Sequence, residues 1–294
     1  ITGLGVFACD SPDLKSFWET LRSARGRAER VSAFDPSPYP TQIACQISGY
    51  DASVFFTPKE ARRRARYTQF ACIAAQQALA DANISSEILG SGSLAIYEGS
   101  SLGPAAWFLD QHEIFLEKGY KRANPLTLVI GFPGAASATL TSSLGIRGIS
   151  AASTGGSVAS IMSLSCAYNA LRLGDAQLAL VVGAEAPIHP AILASFCTVN
   201  IMSRRNSTPT TAVRPFDRER DGFVLGEGAG ALLVETESSA RKRNVFPYAE
   251  IKSIGISSDD YHVTSPEPTG EHISRAMRIA LSRGNCEPES IDYI

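Results

Sequence analysis

An α/β fold with buried sheets is predicted by three features of the sequence. Short β-rich runs alternate with helical patterns from one end of the 294 residues to the other. One of these runs, at 178–182, is continuously apolar, as expected of a strand covered on both faces. The composition, 44% hydrophobic and 19% charged, is that of a globular chain long enough for one large domain or two fused ones.

Helices are predicted where capping signals precede a helical pattern. Ser11-Pro12-Asp13 precedes the first helix, which extends to about Ala24. Thr57-Pro58-Lys59-Glu60 forms a capping-box pattern with proline at the first helical position, and predicts one helix that ends near Ala82. Three more helices are expected, at 105–118, 157–173 and 271–283.

Strands are predicted by short apolar or β-branched runs between turn residues. They lie at 93–97, 178–182, 248–256 and 291–294, with a further pair at 223–225 and 231–235 around a glycine-rich corner. Because 291–294 resembles a strand that has just begun, we expect the sequence to be part of a longer protein.

Charge and composition exclude several classes of function. Lys and Arg total 27 against 29 Asp and Glu, so the net charge of −2 gives no overall attraction to nucleic acid or anionic membranes. No apolar run approaches the roughly 20 residues that span a bilayer, and residues 1–9 lack the charged start of a signal peptide. A cytoplasmic protein without a membrane span is therefore expected. The six cysteines are widely spaced, and we interpret them as buried free thiols without a metal site or disulfides.

The first residues contain a loose nucleotide-binding pattern. Residues 3–8 fit G-x-G-x-x-A, which in a dinucleotide site follows a strand and precedes a helix. Only Ile1 and Thr2 precede it here. A tight turn at the end of a strand explains the same residues, and we favour that interpretation.

A possible nucleophile stands at the start of the apolar helix predicted at 157–173. Gly155-Gly156-Ser157-Val158-Ala159 fits a relaxed nucleophile-elbow pattern, in which backbone amides at a helix start could stabilise an oxyanion. Asp217, Asp221 and His262 could complete a hydrolase site. Small residues at a tight helix start explain the motif equally well.

Basic residues cluster at the helix start that follows Thr57, and two more lie further along the chain. They are Lys59, Arg62, Arg63, Arg64 and Arg66, with Arg204 and Arg205. They form either a solvated helix face or a docking patch for an acidic or phosphate-bearing carrier.

One long segment resembles a known family. Residues 214–230, RPFDRERDGFVLGEGAG, closely resemble the β-ketoacyl-(acyl carrier protein) synthases, and matches at 1–5, 183–185 and 257–262 support the resemblance. It covers the whole chain. The segment that carries the family's two catalytic histidines, a lysine and a glycine-rich oxyanion loop would follow Ile294.

The resemblance implies the thiolase fold, a five-layered αβαβα arrangement whose second half is incomplete in this sequence. Residues 1–246 would form the N-terminal thiolase-like half and 247–294 the start of the C-terminal half. It also implies decarboxylative Claisen condensation by a dimer, homodimeric or paired with a cysteine-bearing ketosynthase. Acyl carrier protein would supply the phosphopantetheine arm, and no other cofactor or metal is expected.

The resemblance places Ser157 at the family's nucleophilic cysteine. Arg147-Gly148 before this position, and 174–175 and 183–185 after it, keep the family's spacing without a gap, whereas Ser153 would require compensating gaps. A serine hydroxyl is scarcely ionised near neutral pH and needs an adjacent base. The flanking residues Gly156 and Val158 also depart from the family pattern, which favours natural divergence over a single engineered change.

We therefore interpret the chain as a chain-length-factor-type partner, which shapes the acyl tunnel of an active ketosynthase in fatty-acid or type II polyketide biosynthesis. The alternatives are a condensing or acyl-transferring enzyme that uses Ser157, an engineered Cys-to-Ser variant and, remotely, a serine hydrolase. The resemblance also assigns carrier-protein docking to Lys59, Arg62, Arg63 and Arg205, and an apolar gate at the acyl pocket to Leu102. Ala65 replaces an acidic residue common in the family's basic helix.

Overall fold

The computed structural model describes all 294 residues, which divide into two compact units. One unit consists of residues 2–246. The other consists of 247–294 together with Ile1.

The secondary structure is mixed throughout. The strands are β1 (Gly3–Ala8), β2 (Glu29–Arg30), β3 (Ile43–Cys45), β4 (Leu94–Gly99), β5 (Ser150–Ser153), β6 (Leu178–Glu185), β7 (Leu225–Gly226) and β8 (Gly228–Glu235). The helices are α1 (Leu14–Arg22), α2 (Pro58–Ala61), α3 (Arg66–Asp81), α4 (Ser86–Gly90), α5 (Ala105–Lys118), α6 (Thr127–Ile130), α7 (Ala135–Leu144), α8 (Ala159–Leu173), α9 (Pro190–Thr198), α10 (Glu237–Arg243) and α11 (Glu271–Gly284). The α/β prediction is confirmed.

A five-stranded sheet in the order β1-β8-β6-β4-β5 forms the centre of the larger unit. Strands β4, β5 and β6 are parallel, whereas β8 runs antiparallel to both β1 and β6. Helices α3 and α7 cover one face, and α8 packs on the other. The side chains of Ile96, Leu180 and Leu233 lie side by side across three strands and are fully buried beneath α3 and α7. A small second sheet has the order β2-β3-β7.

Residues 3–8 are a strand, so the predicted tight turn is wrong. Gly5 is present because α3 lies against it: a Cβ at Gly5 would stand 1.9 Å from the carbonyl oxygen of Ala74. β1 is an edge strand, and α3 side chains satisfy its outward N–H groups, with Leu4 N donating to Asp81 and Val6 N to Gln77. The G-x-G-x-x-A pattern thus serves the contact between a helix and a sheet.

The single helix predicted from Thr57 to Ala82 is two helices, α2 and α3. The capping box between Thr57 and Glu60 is confirmed, but Ala65 adopts extended angles and interrupts the helix. Arg66 at the start of α3 makes a bidentate pair with Glu227, with nitrogen–oxygen distances of 2.8 and 2.7 Å. This long-range pair fixes the direction in which α3 begins, which no local pattern specifies.

The strand predicted at 231–235 is confirmed as part of β8, but its predicted pairing with 223–225 is wrong. β7 joins β3 in the small sheet, while β8 lies between β1 and β6 in the large one. The intervening residue, Glu227, points into the protein and accepts a hydrogen bond from Ile47 N.

In the smaller unit, helix α11 confirms the helix predicted at 271–283, but neither 248–256 nor 291–294 forms a strand. Ser253 and Ser257 donate their hydroxyls to carbonyls of α11, and a Cβ at Gly255 would meet the Ala276 carbonyl. Alternate residues therefore face the helix, as in a strand. The main chain of this segment exchanges two hydrogen bonds with Ile1, from Tyr248 N to the Ile1 carbonyl and from the Ile1 amino group to the Ala249 carbonyl, both at 2.8 Å, but no strand is formed.

The other predicted helices are confirmed within two residues at each end, whereas α4, α6, α7, α9 and α10 were missed. All six cysteines are free, but only Cys72 and Cys197 are buried; Cys166 is exposed, and the other three are half-buried. None of the helices combines the length and the apolar character needed to cross a bilayer.

We expect Gly5→Ala to destabilise the protein by about 2–3 kcal/mol, because the new methyl group overlaps the backbone of α3. Gly230→Ala on the adjacent strand is the matched control, since open space surrounds that position. Urea unfolding of the two variants measures the difference. Equal midpoints would contradict the close contact between β1 and α3.

Candidate functional site

Two glycines let the first turn of α8 lie directly on the sheet. They are Gly99 at the end of β4 and Gly183 in β6, on adjacent parallel strands. A Cβ at Gly99 would lie 2.6 Å from the Cα of Ser160, and one at Gly183 would lie 2.4 Å from the Ser160 hydroxyl oxygen. Any larger residue would force the helix away, so these glycines position the start of α8 at the carboxyl edge of the strands.

Ser157 lies at this edge, in a single 3₁₀ turn over Gly156–Val158 that leads into α8. It is exposed and lines an open cavity of about 860 Å³, which we call the large cavity. The large cavity runs along the face of the sheet that carries α8, and most of its lining is apolar, including Leu4, Val6 and Leu232.

No base stands beside Ser157 among the residues that line the large cavity. Glu185 is their single titratable group. The proposed hydrolase partners Asp217 and Asp221 are not brought to this cavity: Asp217 accepts from Glu219 N, and Asp221 accepts from Arg204 N. His262 lies in the other unit, where its Nδ1 accepts from Thr264 N.

The carboxylate of Glu185 organises the turn that follows β4. Its Oε1 accepts from the Ser100 hydroxyl at 2.9 Å and from the main-chain N–H of Ser101. Leu102 N donates to both carboxylate oxygens at 3.3 Å. Leu102, the predicted gate, is half-buried and packs with the apolar cluster around Leu193 on α9. Through these hydrogen bonds Glu185 holds the main chain at Leu102 in place.

A buried carboxyl group stands on the opposite face of β4. Glu98 is 1% exposed, forms no ion pair, and accepts a hydrogen bond of 2.6 Å from Ser137 N in the first turn of α7. Burial raises the pKa of Glu98, against the opposing effect of the hydrogen bonds from the helix. Burial, together with the charge of Glu98, raises the pKa of the neighbouring Tyr67. We did not identify Glu98 from the sequence, although a single acidic residue in an otherwise uncharged strand was a usable signal.

Glu98 lines a second cavity of about 120 Å³, which we call the small cavity. Leu102 and Pro133 contribute apolar surface to it, and Ser153 contributes a hydroxyl. Ser100 and Ser101 line both cavities. The turn after β4 therefore forms a wall between the cavity that holds Ser157 and the cavity that holds Glu98.

The structure separates the basic residues into two kinds. Lys59, Arg62 and Arg63 lie on or just after α2, are exposed, and take part in no ion pair. Arg205 is half-buried, forms ion pairs with Asp221 at 3.5 Å and Glu219 at 3.9 Å, and donates to the Glu219 carbonyl.

The remaining two basic side chains near α2 have structural partners. The guanidinium of Arg64 is buried over the Phe56 ring and bonds to Glu60. Arg66 pairs with Glu227. The predicted solvated patch is therefore smaller than the sequence cluster.

Comparison with known proteins identifies two family models. The model described as the β-ketoacyl synthase N-terminal domain matches residues 1–240, and the corresponding C-terminal domain model matches 248–294. The 3-oxoacyl-(acyl-carrier-protein) synthase 2 of Staphylococcus aureus is 33% identical over 294 residues, covering all of this chain and 73% of that protein.

Two solved structures have the same fold. A β-ketoacyl synthase from Burkholderia phymatum superposes with a TM-score of 0.88 at 26% identity, covering 100% of this chain and 72% of that one. The ishigamide ketosynthase/chain length factor superposes with a TM-score of 0.83 at 25% identity, covering 99% and 71%. The thiolase-like fold expected from the sequence is thus confirmed.

We expect Glu98→Gln to become more stable relative to the unaltered protein as the pH rises from about 5 to about 8. A group whose pKa is raised by folding stabilises the protein below its unfolded pKa, and this contribution is lost as pH rises through the folded pKa. Glutamine cannot ionise, so the variant does not lose this stability as the pH rises. Urea unfolding of the variant and of the unaltered protein across this pH range measures the difference in stability. Glu87→Gln is a surface control for the change in net charge. A stability difference that stays constant with pH would contradict the shift.

Proposed function

The chain belongs to the β-ketoacyl synthase family, and within that family we propose that it is a chain-length-factor-type subunit, which shapes the acyl tunnel of an active ketosynthase. The observation that carries the proposal is Ser157, an exposed serine on the large cavity at the position where the resemblance places the family's nucleophilic cysteine. In this proposal residues 1–246 are the N-terminal thiolase-like half and 247–294 begin the C-terminal half.

The chemistry of serine supports a non-condensing role. The family's cysteine can ionise at a helix start because neighbouring amides favour the thiolate. A hydroxyl at the same place keeps its proton unless a base removes it. Glu185, the single titratable residue lining the large cavity, already accepts hydrogen bonds from the turn that carries Leu102. The replacement of a thiol by a hydroxyl is therefore what favours, in this proposal, a structural use of this site over acyl transfer.

The pathway is fatty-acid or type II polyketide biosynthesis, and the partner is a cysteine-bearing homologue. The likeness to a solved ketosynthase/chain length factor supports such pairing. A homodimer is the alternative that the assembly experiment below distinguishes. The location we propose for the protein is the cytoplasm.

Acyl carrier protein is the proposed second partner and supplies the phosphopantetheine arm. Lys59, Arg62 and Arg63 are suited to an acidic carrier because they are exposed and no carboxylate of this chain neutralises them. Arg205 contributes less, because Asp221 and Glu219 already compete for its charge. In this proposal the carrier protein therefore docks on Lys59, Arg62 and Arg63.

Co-expression with cysteine-bearing ketosynthases should yield a stable heterodimer, which native mass spectrometry can weigh directly. The physical reason is a dimerising family fold combined with a diverged nucleophile position. The chain expressed alone is the control. A homodimer that ignores every such partner and condenses malonyl units by itself would refute the chain-length-factor proposal.

Within that complex, we expect Ser157→Ala to leave the condensation rate nearly unchanged, because only an unactivated hydroxyl is lost. Loss of a true nucleophile would cost several orders of magnitude in rate. Ser160→Ala, which removes a neighbouring hydroxyl from the same cavity, is the matched control. An acyl adduct on Ser157, detected by mass spectrometry together with inactivity of the alanine variant, would instead establish acyl transfer by this serine.

A further inference from the structure

The small cavity combines an apolar gate with a polar inner end. Leu102 lies on its wall, and Glu98, almost completely buried, lies at its least exposed end. Ser153 is half-buried, whereas Ser101 and Thr154 are exposed. The cavity is therefore open on the side of the hydroxyls and closed on the side of the carboxyl group.

The hydroxyl groups in this cavity are free to bind a ligand. Three groups of the turn, the Ser100 hydroxyl and the N–H groups of Ser101 and Leu102, already donate to Glu185. By contrast, no hydrogen bond within the chain involves the side-chain hydroxyls of Ser101, Ser153 and Thr154. Three donors that can also accept thus surround a volume of about 120 Å³, which accommodates only a few non-hydrogen atoms.

Glu98 adds a polar group to the cavity, and a hydrocarbon tail could form no hydrogen bond with it. Its Oε2 atom is held by Ser137 N, so the side chain cannot swing out to solvent without uncapping α7. A methylene group placed against Glu98 and the hydroxyls would displace water and return no hydrogen bond. A site built to bond an oxygen rejects the analogue that lacks it far more strongly than an apolar pocket rejects an added hydroxyl.

We propose that Glu98 is a specificity-determining residue, which makes the small cavity select an acyl chain bearing a carbonyl or hydroxyl oxygen over a plain hydrocarbon chain. A carbonyl oxygen would accept from the protonated carboxyl group of Glu98 and from the hydroxyls of Ser153 and Thr154, beyond Leu102, and a hydroxyl could also donate to Glu98. This rests on the proposed function, since it assumes that acyl chains reach the cavity past the turn shared with the large cavity.

The test is binding of acyl-pantetheine probes to the protein, alone and in its ketosynthase complex. The probes are matched pairs of short to medium chain length that differ only by a keto group in place of one methylene near the chain end. Isothermal titration calorimetry gives the dissociation constants. We expect the best keto probe to bind about tenfold or more tighter than its saturated twin.

Three variants separate recognition from folding. Glu98→Leu should abolish or reverse the preference, whereas Glu98→Gln, which keeps hydrogen-bonding groups and nearly the same shape, should preserve it within a few-fold. Ser153→Ala removes one hydroxyl without touching the contact between Glu98 and α7, and should reduce the preference several-fold. Circular dichroism measures whether each variant is folded. If Glu98→Leu does not fold, Ser153→Ala still tests the inference.

The outcomes distinguish this inference from the proposed function. Equal binding of both probes, tighter binding of the saturated probe, or binding of neither would overturn the role of Glu98, and would mean that the cavity holds water only. Native mass spectrometry of the same samples reports the ketosynthase complex independently. A keto preference without a complex would refute the chain-length-factor proposal alone, whereas a complex without the preference would refute this inference alone.

Discussion

The close approach of α8 to the ends of β4 and β6 is the constraint on which the site depends. Gly99 and Gly183 carry no side chain, and the backbone and hydroxyl of the first turn of α8 occupy the space that a Cβ would need. Ser163 strengthens the contact by donating its hydroxyl to the buried carbonyl of Glu98 at 2.5 Å. Because parallel strands end at the same edge, this contact brings Ser157 and the turn after β4 to one place.

Three buried or half-buried carboxylates organise the structure around this edge, each in a different way. Glu227 is paired with Arg66 and fixes the start of α3 against the small sheet. Glu185 is satisfied by hydroxyl and amide donors and shapes the turn that carries Leu102. Glu98 is buried without an ion-pair partner, which raises its pKa, and the N-terminal amide of α7 donates to it. A buried acid of this kind is unfavourable for stability, which is one reason to seek a role for it in binding.

Local signals in the sequence were sufficient for elements that begin and end by local chemistry. The capping box at Thr57, the N-cap at Asp13 and the long helix α5 all depend on residues within a few positions of one another. The predictions of secondary structure failed where a residue distant in the chain determined the local conformation. Arg66 redirects α3 through Glu227, 161 positions away in the chain, and α3 covers the edge strand β1 that had been interpreted as a turn.

The sequence by itself determined the fold class and the family, because motifs and the spacing between them can be recognised without any knowledge of contacts. Tertiary structure alone decided the chemistry around them. It showed that Arg205 is bound by acidic neighbours while Lys59 is not, that Glu185 is occupied by a turn, and that Glu98 is buried beside Leu102. The physical reason is that hydrogen-bond partners and burial depend on side chains far apart in the chain, and only folding brings these side chains into contact.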